Sequence, residues 1–172
     1  MVSQTSLLGA AGEHLIMAEL LRRGYIACLA PAGVPTADVV VTDVAGARHS
    51  SIQVKSRRDI GSDGGWHMGE KHERLAVDRL FYCFVDFGKS VGTVPKRYLL
   101  PSSIVARVLT ESHRAWLQNP GAKGQMRKDG AMRRLLPNYE KIFGKQNPYP
   151  AGWLNEFEDA WQLLEVSSST ET

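Results

Sequence analysis

Only two cysteines occur in 172 residues, too few for a disulfide framework or a cysteine-built metal site. Cys28 and Cys83 both fall inside apolar runs and read as small core residues of a reduced protein. No apolar run approaches the roughly 18 residues that a spanning helix needs, so no membrane partner is expected. The opening Met1-Val-Ser-Gln-Thr-Ser6 lacks the basic and apolar regions of a secretory signal, which points to the cytoplasm. Phosphate-cradling Gly-rich loops, zinc-finger spacings and RNA-recognition signatures are missing, which excludes a nucleotide-driven motor and the common finger modules. Internal repeats and a domain boundary are missing too. Residues 1–166 read as one domain and 167–172 as a disordered tail.

Net charge is small, +3, but unevenly placed. Residues 1–88 hold nine Lys/Arg against ten Asp/Glu, residues 89–134 hold ten against two, and residues 135–172 hold two against six. A basic middle between near-neutral and acidic parts suits a polyanion. Arg57, Arg58, Lys123, Arg127, Lys128, Arg133 and Arg134 are the candidate phosphate contacts. Such contacts give position and salt sensitivity rather than sequence choice.

Local patterns predict a mixed α/β chain. Ser6–Arg23 reads as a helix capped by Ser6 and stopped by Gly24. Its polar face takes Glu19, Arg22 and Arg23, while Glu13 falls on the apolar side near Ile16, Met17 and Leu20. A carboxylate there costs free energy unless something pairs with it. Tyr25–Ala30, Leu80–Val85 and Arg97–Leu100 read as strands, the second buried and central. Ser102 caps a helix to about Gln118, with Ile104, Val105, Val108 and Leu109 inward; Asn119–Gly130 is a basic loop. Trp153–Val166 reads as a closing amphipathic helix with Trp153, Phe157, Trp161 and Leu164 in its core stripe. His67 and His72 lack metal-pair spacing and suit surface or loop positions.

The most informative segment is Asp38–Lys55. Two β-branched runs are hinged at Ala45-Gly46, a strand–turn–strand hairpin. Symmetry about that hinge sets Asp38 opposite Gln53. Opposed residues of an antiparallel pair project to one face, and Lys55 returns to it by the period of two. Val39, Val41, Ile52 and Val54 take the other face. One side thus gathers a carboxylate, an amide and an ammonium, and the other is core.

Phosphodiester hydrolysis calls for a cation that polarises phosphoryl oxygen and acidifies water. Mg²⁺ accepts one or two carboxylates plus a carbonyl and keeps several waters. Asp38, the Gln53 side-chain oxygen and the Val54 main-chain carbonyl form such a set, with Glu13 joining directly or through water. Lys55 would place an ammonium near the attacking water or the developing charge.

Glu13 on the first helix, Asp38 opening the hairpin and Gln53-Val-Lys55 on its return resemble the PD-(D/E)XK nuclease superfamily. The resemblance implies a restriction-endonuclease-like core, a mixed sheet of about four or five strands flanked by helices. It implies Glu13 as first-helix acid, Asp38 as metal ligand, Gln53 as second metal-site residue and Lys55 as catalytic lysine. It further implies Mg²⁺-dependent cleavage of DNA, with Mn²⁺ as substitute, commonly by a homodimer. Two positions depart from the pattern. Ala37 stands where a proline is common, and Gln53 replaces the second acid, as in branches similar to the Mrr-type restriction enzymes. Losing that charge weakens metal binding and makes Glu13 more important. A non-catalytic nucleic-acid-binding or assembly module on the same fold is the alternative, and an RNA-cutting defence component a third reading.

Overall fold

A computed structural model describes residues 3–60 and 64–165. The tail from Ser167, the last residue of the expected closing helix (Val166) and the middle of the Gly-rich loop after Arg58 lie outside the described residues.

The first helix, α1 (Gln4–Arg22), starts earlier than expected: Ser3 is the cap, its Oγ accepting from the Ser6 N–H at 3.1 Å. Ser6 is therefore a capped residue, not the cap. Gly24, at φ +83°, ends the helix in a conformation that favours glycine. Glu19 is not on a solvated face. It is 7% exposed, and Arg22, Arg23 and Arg97 gather around its carboxylate. Burial of that charge is tolerated because it is paired.

Five strands build the domain's main sheet. These are β1 (Ile26–Leu29), β2 (Val39–Thr42), β3 (His49–Arg57) and, after a crossover, β5 (Leu80–Asp86), with β6 (Lys96–Pro101) completing a sheet ordered β1-β2-β3-β5-β6. All neighbours are antiparallel except β3 and β5. The crossover that this parallel pair requires carries β4 (Trp66–Gly69) and a 3₁₀ turn, Glu70–Glu73. β4 leaves the main sheet to pair with β7 (Met132–Leu135) in a second, two-stranded sheet. The hairpin register matches expectation, Val39 facing Ile52 and Thr42 facing His49. Gly46 has φ +68°, and the Asp43 carboxylate accepts from the Ala47 and Arg48 N–H groups across the turn.

Each sheet face has its own core. Val39, Val41, Ile52, Val54, Phe81, Cys83 and Val85 meet Ile16 and Leu20 of α1. Tyr82, Phe84, Tyr98 and Leu100 meet Val105, Val108 and Leu109 of α2 (Ser102–Gln118) together with Trp66 and Leu135. Ser102 is the first helical residue, not the cap, and its hydroxyl is exchanged with the N–H and C=O of Val77. Cys83 is buried as expected, but Cys28 is exposed. It sits on the outer face of edge strand β1, whose inward residues are Ala27 and Leu29.

Among the described residues, the closing amphipathic helix does not form. Trp153–Leu164 forms two short 3₁₀ turns, Asn155–Phe157 and Trp161–Leu164, split by Asp159 at φ +51°. Its stripe is divided accordingly: Trp153 and Phe157 pack with the α2 core, Trp161 and Leu164 with the α1 core. The spacing imitated a helix, yet the segment serves both cores by crossing from one face to the other. Arg97 pins the crossing with two hydrogen bonds to Asp159, at 2.8 and 2.7 Å.

Candidate active site

Asp38 sits where the loop enters β2. Its main-chain N–H donates to the Ile52 carbonyl at 2.9 Å, which fixes the register at the mouth of the hairpin. Its side chain then reaches over the β3 edge left open beyond β2. Oδ2 accepts from the Val54 N–H at 2.7 Å and from the Gln53 amide nitrogen at 2.8 Å. Both bonds fall on one oxygen, leaving Oδ1 for a ligand. N–H and C=O of a strand residue face the same neighbour, so the Val54 carbonyl is directed to this same open edge.

Gln53 is 6% exposed, and its Oε1 is buried with no hydrogen-bond partner. An orphaned buried acceptor costs roughly 1–3 kcal/mol, a cost that a bound cation or donor removes. Lys55 is half-buried two residues further along. Burial lowers the pKa of its ammonium and Lys71 lowers it further, against the pull of Asp38 and Glu13.

Glu13 reaches this group from α1. The helix crosses β3 at Gly12, where a Cβ would lie 1.9 Å from Ser56 Oγ and 3.3 Å from Ser56 Cβ and a Val54 methyl, so a larger residue would require the serine hydroxyl to rotate and the packing to give. Burial raises the Glu13 pKa and the Asp38 charge adds to it, while His14 and Lys55 oppose. Asp38 and Glu13 are thus electrostatic neighbours of like sign, an arrangement that a cation relieves. His14 itself is exposed and bonded to the Ala10 carbonyl of its own helix.

Two residues join this face unforeseen. Tyr82 on β5 is in register with Gln53, and its hydroxyl is 2.7 Å from His72 Nδ1. Burial, then the Asp38 charge, raises the Tyr82 pKa. His72 is 3% exposed, not at the surface or in an open loop as expected; burial, Lys55 and Lys71 push its pKa down to about 4. It is a neutral imidazole at ordinary pH. Tyr82 was hidden in an apolar run, although pairing that run with β3 would have revealed it. His72 carried no local signal. His67, by contrast, is exposed on β4.

The seven basic candidates divide. Arg57 is bonded to Asp86 at 2.5 Å and lies 4.2 Å from the Trp66 ring centroid. Arg133 is 5% exposed and forked onto Glu73. Both guanidinium groups thus have internal acidic partners, although Arg57 Nε and Nη1 have no hydrogen-bond partner. Arg58, Lys123 and Lys128 are exposed, and Arg127 and Arg134 half-buried. Among the described residues, no three or more His, Cys, Asp or Glu side chains converge as a metal group. The oxygen set here is two carboxylates, one amide and one main-chain carbonyl.

A mixed five-stranded sheet flanked by helices is a restriction-endonuclease-like α/β fold. No family model matches the sequence, and no curated protein does. Among solved structures, the fold is similar to a bacterial homing endonuclease, I-Ssp6803I, at a TM-score of 0.51 and 16% identity, over 95% of this chain and 92% of that one. A Holliday junction resolvase from Archaeoglobus fulgidus, Hjc, gives a TM-score of 0.43 and 14% identity over 74% and 83% of the two chains. At these identities the likeness is one of fold. No helix among the described residues is long and apolar enough to cross a membrane.

Proposed function

We propose that this protein is a metal-dependent nuclease that hydrolyses phosphodiester bonds in DNA. The observation that carries the reading is the convergence of Asp38, Gln53 and Lys55 on one hairpin face, with Glu13 in electrostatic contact. Asp38, the Val54 carbonyl, Gln53 Oε1 and Glu13 suit Mg²⁺ or Mn²⁺, which favour oxygen ligands. When bound, the cation supplies Lewis-acid polarisation of the phosphoryl group and an acidified water.

The chain's own residues do the rest. The Val54 N–H and the Gln53 amide hold the Asp38 carboxylate in one orientation. Burial and the Asp38 charge raise the Glu13 pKa, so protonation competes with the cation sooner as pH drops than at an unshifted carboxylate. Lys55 couples electrostatically to Asp38 and Glu13, and its charge would offset negative charge as it builds on phosphate. Lys55 also surrenders a proton more readily than an exposed lysine, because burial disfavours the ammonium. Arg58, Lys123, Arg127, Lys128 and Arg134 are the proposed backbone contacts.

One feature favours the competing reading of a non-catalytic binding module: Gln53 replaces an acid, leaving two carboxylates. Cleavage of supercoiled and branched DNA with Mg²⁺ or Mn²⁺ decides. The expected result is nicking by wild type and a loss of about 10²-fold or more in Asp38→Ala and Lys55→Ala. Wild type as inert as both variants, yet binding DNA with a steep salt slope, establishes the module. Faster cutting of RNA in parallel reactions moves the substrate class.

A further inference from the structure

At the C-terminal half of α2 lies a cavity of about 430 Å³, walled by α2, β7 and the short helix α3 (Glu140–Phe143). Its volume falls within the roughly 300–1,000 Å³ of small-ligand sites. None of Glu13, Asp38, Gln53 or Lys55 lines it. Leu109, Leu136 and Ile142 give it an apolar floor, and Trp116, Arg127 and Lys141 give it an aromatic and cationic wall.

Trp116 is the informative member. The His113 ring stacks on it at 5.5 Å and 19°, and the Arg127 guanidinium lies 4.6 Å from its centroid. Arg127 belongs to the exposed loop between α2 and β7, where it donates to the Pro120 carbonyl at 3.3 Å. A guanidinium resting on an indole is exchangeable for another flat π system. An occupant must therefore offer a planar body for the floor, a face for the indole and negative charge for Arg127 and Lys141. Acidic side chains lack the face, and apolar peptides lack the charge. A nucleotide has all three.

We propose that this cavity receives one unpaired nucleotide, its base against Trp116 and its phosphate on Arg127 and Lys141. The inference rests on the nucleic-acid half of the proposed function but not on cleavage. It makes the protein selective for nucleic acid with an unpaired or extruded base, because a stacked, paired base cannot enter.

The test is binding in EDTA, which separates recognition from cutting. Two duplexes of equal length are compared, one fully paired and one with a single unpaired 2-aminopurine. Wild type should prefer the second about tenfold, or about 1.4 kcal/mol, and 2-aminopurine emission should fall on binding. Trp116→Leu should bring the two affinities within about twofold while leaving paired-duplex binding and Mg²⁺-dependent nicking in place. Lys141→Gln, an exposed change on the short helix α3, supplies the same comparison if Trp116→Leu fails to fold. Equal affinities with unchanged emission overturn the inference and leave the nuclease reading intact. No binding of either duplex at low salt overturns both. Displacement of probe from the cavity by an acidic aromatic peptide, without bulge selectivity, assigns it to a protein partner and overturns the nucleotide.

Discussion

Glu19 offers the sharpest test of the packing, because sequence pattern and structure disagree about it. Glu19→Gln keeps shape and helix propensity nearly constant and removes only the charge. The side chain is 10% exposed, against 77% for Arg22, 33% for Arg23 and 18% for Arg97. Breaking a fully buried ion pair costs roughly 3–5 kcal/mol. Three features lower that figure here. Arg22 returns to water, Arg23 keeps the Glu19 carbonyl and the Trp161 ring, and Arg97 keeps both oxygens of Asp159. A net loss of about 2 kcal/mol remains, mostly charge-assisted hydrogen bonding. With a urea m value of about 2 kcal/mol/M, the midpoint falls by about 1 M. Partly buried pairs are weakly screened, so most of the loss should survive in roughly 1 M salt. A change within about 0.5 kcal/mol, as at ordinary surface sites, would refute the buried network and return Glu19 to a solvated face.

Two further outcomes follow from the site's polar shell. His72 has its pKa depressed to about 4 from an ordinary 6.5, so the unfolded chain takes up the proton first. Its contribution is full above pH 6.5, declines as pH falls, and is gone below pH 4, a loss of up to about 3 kcal/mol. Urea midpoints between pH 7 and 4.5 should fall less steeply in His72→Gln; identical slopes count against a buried neutral imidazole. Gln53→Glu replaces the amide that donates to Asp38 at 2.8 Å with a second carboxylate. The metal-free protein should lose about 2 kcal/mol through like-charge crowding, and millimolar Mg²⁺ should restore most of it in thermal scans. Equal Mg²⁺ responses in wild type and variant would remove the cation seat from this hairpin.

What could be read from sequence, and what could not, divides by distance along the chain. The hairpin register, the apolar and polar faces of Asp38–Lys55, and the β5 and α2 runs depend on period and turn residues within one or two dozen positions. The second sheet does not: Trp66–Gly69 and Met132–Leu135 are four residues each and lie far apart in sequence, and neither has the β-branched alternation that announces a strand. Periodicity misled where it was most regular. Trp153, Phe157, Trp161 and Leu164 keep helical spacing, yet Asp159 turns the chain between the second and third so that two cores share them.

The same division runs through the site. Asp38, Gln53 and Lys55 are brought together by a local turn, whereas Tyr82 and His72 arrive through the parallel β3–β5 pairing and its crossover. That difference has a physical consequence. The hairpin triad assembles with little loop-closure entropy, but its buried surroundings require the crossover to fold. Perturbing the Tyr82–His72 pair should therefore act on the desolvation around Lys55 and Asp38 while leaving the hairpin register untouched. The lysine's depressed pKa is a property of the whole sheet, not of the motif that carries it.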